Sequence, residues 1–304
     1  MMPAARPAAL LVIALLMSVL VAAVHADAPL RVVATNEVLA DLVRNVGGDR
    51  VAVICLAPAG TDLHSFEPAP AQVQLLARAD LVVVNGLGLE AWLDKVIANS
   101  GYSGAVVVAS AGIMALEADH DHHHHDHAHD HDLDPHAWLS VANGIRYAEN
   151  IRDGLIAADP DAADDYRAWG SLYITQLRVL DSWIQREIGR IPRERRLIVT
   201  DHNAFQYFGQ AYGIEVLALT GAQRLSEPSA RESVDLVATM RARGVQWVFV
   251  ESTGNEKVLE RLASEAGARI GGRLTADGVA APGEPFSYVR MHQVNVRLLV
   301  RRWK

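Results

Sequence analysis

Short runs of apolar, β-branched residues alternate along this chain with segments whose apolar positions recur every three or four residues. The runs Leu30–Ala34, Val51–Leu56, Leu81–Asn85 and Ala105–Ala109 predict strands, and Glu37–Val46, Pro68–Ala79 and Leu89–Ala98 predict the helices between them. The same rhythm returns after residue 196. There Leu197–Thr200, Ile214–Ala218, Trp247–Val250 and Arg269–Leu274 predict strands, with helices at Phe205–Ala211, Ser229–Arg243 and Asn255–Ala266. A βαβα alternation implies a parallel sheet covered by helices, so the pattern predicts an α/β protein with two parallel-sheet lobes. Between them, residues 161–191 contain no proline, and Tyr166, Trp169, Leu172, Tyr173, Leu177, Leu180, Trp183, Ile184 and Ile188 keep helical spacing. This predicts one long helix of about 28 residues, ~42 Å at ~1.5 Å per residue, as a rigid strut joining the lobes. The expected organisation is an N-terminal lobe 27–158, a linking helix 159–191 and a C-terminal lobe 192–304.

The first 26 residues stand apart. Arg6 precedes an apolar run from Ala8 to Val24, interrupted only by Ser18, and Val24-His25-Ala26 offers small residues where a signal peptidase reads. Residues 1–26 therefore predict a secretory signal, cleaved after Ala26, and a periplasmic product. The chain's formal net charge of −8 becomes −9 without Arg6, which argues against nucleic acid and favours the attraction of cations. Cys55 is the single cysteine. It excludes an internal disulfide and a multi-thiolate metal site, and no cysteine lies near residue 26 to carry a lipid, so no lipid anchor is expected.

Chemistry enters with histidine. Eight of the 13 lie in the twelve residues 120–131, at His120, His122, His123, His124, His125, His127, His129 and His131. Imidazole is the commonest protein ligand for zinc and similar ions, so the tract announces a transition metal; its low complexity predicts a solvated loop, 119–132, with an accessory capture role. Ligands in α/β sheets bind beyond the carboxyl ends of strands. Four metal-ligand residue types occupy such places or nearby element ends. His64 lies in Pro-Ala-Gly-Thr-Asp-Leu-His-Ser-Phe-Glu-Pro at 58–68, and His136 in Asp-Pro-His-Ala-Trp-Leu at 134–139, where Asp134 reads as an N-cap and His136 as first-turn helix. His202 follows the strand 197–200, and Asp277 follows the strand 269–274. Three imidazoles and a carboxylate, two from each half, suit a closed four-coordinate site.

These segments, with Thr-Asp-His-Asn-Ala-Phe-Gln-Tyr-Phe at 200–208, Glu-Pro-Ser-Ala-Arg at 227–231, Val-Phe-Val-Glu at 248–251 and Gly-Gly-Arg-Leu-Thr-Ala-Asp at 271–277, resemble the cluster A-I, zinc/manganese-type solute-binding proteins of ABC importers across the mature sequence. The resemblance implies that His64, His136, His202 and Asp277 bind one metal between the lobes, and that Glu251 supports the site without joining it. It implies no enzyme but a monomeric carrier that hands its cargo to an inner-membrane ABC permease, with a periplasmic metallochaperone as a further partner. A cysteine pair common in the second lobe of zinc members is missing here, and Leu63 stands where some carry an acid. Three nitrogen ligands favour Zn²⁺, while manganese prefers more oxygen. The expected function is high-affinity zinc delivery; manganese import, or a periplasmic zinc buffer or store, is the alternative.

Overall fold

The computed structural model describes residues 28–57, 59–118, 133–222, 228–251, 255–278 and 285–304. The expected signal segment, residues 1–26, and the eight tract histidines lie outside them. In the N-terminal half, β1 (Leu30–Ala34), β2 (Val51–Cys55), β3 (Leu81–Val84) and β4 (Ala105–Val108) form one parallel sheet in the order β2-β1-β3-β4. Every residue of β3 is buried, as expected of a central parallel strand covered on both faces. Helix α1 (Glu37–Gly47) starts where the Asn36 side chain accepts the Leu39 N–H, and it turns Val38, Leu39, Leu42, Val43 and Val46 into the core.

Two helices begin later than their patterns predict. α2 spans Pro70–Ala77, because Pro70 supplies the fixed first-turn φ and Gln72 folds back to accept the Ala69 N–H. α3 spans Leu93–Ser100. Ahead of it Gly86, Leu87 and Gly88 all have positive φ (82°, 55° and 78°), so the chain loops before it can wind. The Glu90 carboxylate fixes that loop by accepting from Thr35 Oγ1, Asn85 N and Gly86 N.

α4 (Val141–Ala158) and α5 (Ala163–Gly189) pack against each other across the molecule's back. The expected strut is present: a 3₁₀ turn at Pro160–Ala162 leads into α5, 27 residues long. α5 touches α1 on one side; on the other it touches α6 (Gln206–Tyr212) and α9 (Tyr288–Trp303).

The C-terminal half has parallel pairs β5 (Leu197–His202) with β6 (Glu215–Thr220) and β7 (Trp247–Glu251) with β8 (Arg269–Leu274), β7 lying beside β5. α7 (Ala230–Ala242) and α8 (Glu256–Ala266) cover them. One hydrophobic core runs through both halves, from Leu42 and Trp138 through Leu177 to Phe208 and Leu299. The two lobes therefore share their interior, and the carboxyl ends of β5, β7 and β8 face the N-terminal lobe.

Candidate metal centre

His64, His136 and His202 come together. The Nε2 of His136 lies 3.2 Å from that of His64 and 3.3 Å from that of His202. Asp277 closes the group, its Oδ1 4.0 Å from His136 Nε2. His136 and His202 are fully buried, Asp277 is nearly so, and His64 is half-buried. The open side of the site is thus the loop that carries His64.

Each member is held by local structure. Asp62 accepts the His64 N–H in a short turn after β2. His136 is not on the first turn of an α-helix. It precedes a 3₁₀ turn at Ala137–Leu139, and the Asp134 carboxylate takes both its N–H (2.9 Å) and its ring Nδ1 (2.8 Å) instead of capping a helix. A buried carboxylate gains more from the imidazole N–H than from a solvated helix end. His202 ends β5, with its Nδ1 2.7 Å from Glu251 Oε2 and its N–H on Glu251 Oε1. Asp277 follows β8. The Trp138 indole N–H donates to Ala276 O at 2.8 Å, so the turn holding His136 is tied directly to the turn holding Asp277.

This arrangement fixes the tautomers. With Nδ1–H given to Asp134 and to Glu251, His136 and His202 must present bare Nε2 lone pairs. Two such lone pairs, 3.3 Å apart on His136 and His202, repel unless a proton or a metal cation sits between them. Asp134, Glu251 and Asp277 place three buried carboxylates around that point, which suits a divalent cation. Asp201 also lies within metal-binding reach of His202 and Glu251.

The sequence pattern assigns Asp134 the wrong task; it places Trp138 inward, where it is fully buried, but gives no sign of its bond to Ala276 O. The Asp-Pro-His spacing was a usable signal for the first, since two residues suffice for a carboxylate to fold back on an imidazole. His292, outside the expected ligand set, is fully buried in α9, stacked at 23° on Phe208, and burial pushes its imidazole down to about 3.

A family model described as "ZnuA: Zinc-uptake complex component A periplasmic" matches residues 32–302. Manganese-binding lipoprotein MntA of Halalkalibacterium halodurans is 34% identical over 272 residues, 89% of this chain and 87% of that protein. The manganese ABC transporter substrate-binding lipoprotein PsaA of Streptococcus pneumoniae is 32% identical over 274 residues, covering 88% and 86%. Among solved structures, the periplasmic zinc binding protein TroA of Treponema pallidum superposes with a TM-score of 0.81 at 30% identity, covering 90% of this chain and 99% of its own. A Mn-bound mutant of the periplasmic metal binding protein of Candidatus Liberibacter asiaticus superposes equally well, TM-score 0.81 at 27% identity, covering 90% and 100%. The lipoprotein names run against the expectation of an unanchored chain.

Proposed function

The chain belongs to the ZnuA family and is the extracytoplasmic metal-binding component of an ABC importer, not an enzyme; from that premise we propose that its cargo is zinc, held by His64, His136, His202 and Asp277. One observation carries this reading. A tetrahedron of zinc–nitrogen bonds of about 2.0 Å has edges of about 3.3 Å. The Nε2 spacings of 3.2 and 3.3 Å match that edge, and Asp277 Oδ1, 4.0 Å from His136 Nε2, has about 0.7 Å to move to complete it. Three imidazoles and one carboxylate fill four positions, which suits closed binding of a cargo. The ion enters past half-buried His64 and releases when the imidazoles take protons or the permease draws the ligands apart.

Manganese is the competing cargo, since the relatives with that name are close in sequence. Affinity alone does not separate the two, because almost any such site binds zinc above manganese. Growth does. A strain lacking this protein should fail under zinc chelation and recover on added zinc; recovery on manganese alone would overturn the zinc assignment. Competitive titration then tests the ligands: His64→Ala, His136→Ala, His202→Ala and Asp277→Ala should each weaken zinc binding, while the wild type holds one tight equivalent.

The histidine tract joins the fold beside this site. Asp134 N donates to Leu116 O, and Tyr207 Oη accepts from Leu116 N while donating to Asp134 O. We assign the tract an accessory capture role, passing metal inward to His136. Deleting 119–132 should slow capture and leave the equilibrium affinity unchanged. The proposal is a protein free in the periplasm, and its partition between soluble and membrane fractions decides.

A further inference from the structure

The chain divides its charge unevenly. Residues 190–304 carry 17 Lys and Arg against 12 Asp and Glu, whereas the first 189 carry 11 against 24. Much of the excess gathers at one end of the C-terminal lobe, where β5, β7 and β8 begin and α9 finishes. A cavity of about 390 Å³ opens there, its charged and aromatic lining made of Arg195, Arg243, Arg302, Lys304, Trp247 and Trp303, with one acid, Glu194, at its wall. The Arg269 and Arg302 guanidiniums lie over the Trp247 ring at 4.5 and 4.7 Å from its centre. A neighbouring cleft of about 290 Å³ shares Lys304 and adds Arg297, Arg301 and Trp183.

Glu215 pairs with Arg243 and Glu187 with Arg190, so Arg195, Arg302 and Lys304 are left against the single lining acid Glu194, an excess of two positive charges. Among the described residues none of Arg195, Arg269, Arg297, Arg301, Arg302 and Lys304 has an Asp or Glu ion-pair partner. Arg195 donates only to the main-chain oxygen of Lys304, and Arg302 Nε to Gly271 O. Clustered cations repel one another, and walls of indole and aliphatic carbon focus their field into the cavity. An anion offering several oxygens relieves that repulsion, and the guanidinium fork matches phosphate.

We propose that this cavity is a second ligand site, taking a phosphate-bearing anion. It opens at the amino ends of the strands whose carboxyl ends approach the metal centre. A six-residue strand is ~20 Å long, so the anion would not compete for the metal ligands.

The test uses the zinc-loaded mature protein. Tryptophan fluorescence, which reads Trp247 and Trp303, is titrated with inorganic phosphate against potassium chloride at matched ionic strength. In parallel, the protein is sedimented with phosphatidylglycerol-containing vesicles and with pure phosphatidylcholine vesicles. A saturable response to phosphate alone identifies a free phosphate solute as the source of the group. Sedimentation with the anionic vesicles, competed by phosphate, identifies a lipid headgroup. In either case Arg195→Gln/Lys304→Gln, both exposed side chains, should weaken binding by about tenfold or more while zinc stoichiometry and Tm stay unchanged. No binding in either arm, a response equal to that of chloride, or binding indifferent to the double variant overturns the site.

Discussion

Asp134 and Glu251 decide which face each buried imidazole turns to the metal. Each is fully buried, and each holds an Nδ1 at 2.8 or 2.7 Å. Removing their charge while keeping their shape should leave the fold intact and the ring less basic and less firmly oriented. Outer partners of this kind are worth about 10- to 100-fold in metal affinity. Asp134→Asn and Glu251→Gln should therefore each weaken zinc binding by about that factor, with one equivalent still bound, measured by competition against a chelating dye. Unchanged affinity would mean that the rings are held by packing alone. The three histidines and Asp277 were legible because ligand residue types stood beside strand ends and turn signals. Of their supports, Glu251 was legible only through the family resemblance, since it reaches His202 across 49 positions of sequence through strands that local pattern does not pair, and Asp134 was given to a helix cap instead.

Helix α9 closes the molecule and carries an internal liability. His292 sits on it fully buried against Phe208 and Tyr288, held near 3 by burial with only the Trp138 backbone opposing. Unfolded, its pKa returns to about 6.5. The folded value is depressed, so the stability it permits is complete above about pH 6.5 and is lost as pH falls toward 3; at pH 5 the loss is about 2 kcal/mol. Buried Asp41 on α1, raised to about 6 by desolvation, works in the opposite sense, gaining stability as it protonates below pH 6. A comparison with His292→Phe isolates the histidine. In metal-free protein the variant's advantage in urea denaturation should grow from pH 7 to pH 5, and an advantage independent of pH would refute the assignment. Trp138→Phe tests a second joint, between the turn after His136 and the end of β8. Loss of the indole N–H leaves Ala276 O unpaired and should cost about 1–3 kcal/mol of stability, with weaker zinc binding as the Asp277 turn loosens. Parallel strands buried on both faces read as plain apolar runs, which is why β3 and β7 were legible within a residue or so. α4 was not, because Asn143, Gly144, Asn150 and Gly154 dilute its apolar stripe. Gly144 is there for space: a Cβ would stand 2.2 Å from the Tyr288 hydroxyl.

A carrier that closes by swinging two domains needs a thin, compliant connection, and this molecule has the opposite. α5 runs 27 residues along both lobes, and the core beneath it is continuous. Buried bonds cross between the halves close to the metal centre: Tyr288 N donates to Asp41 Oδ2 at 2.9 Å, Trp138 Nε1 to Ala276 O at 2.8 Å, and Tyr288 Oη to Trp138 O. Opening the lobes widely would exchange these bonds for bonds to water at a net cost of about 0.5–1.5 kcal/mol each, before counting the apolar surface. The loop around His64 is half-buried and is held by a local turn in which Asp62 accepts the His64 N–H. Metal binding should therefore order that loop and tilt the lobes slightly, not swing them. A compact chain of the mature length has a radius of gyration of about 19 Å. Small-angle scattering should give a monomer whose radius changes by less than about 1 Å between metal-free and zinc-loaded states, while hydrogen exchange slows mainly around residues 59–67. A wide opening of the metal-free protein in scattering would show that α5 bends, and the strut would have to be reassigned as a hinge.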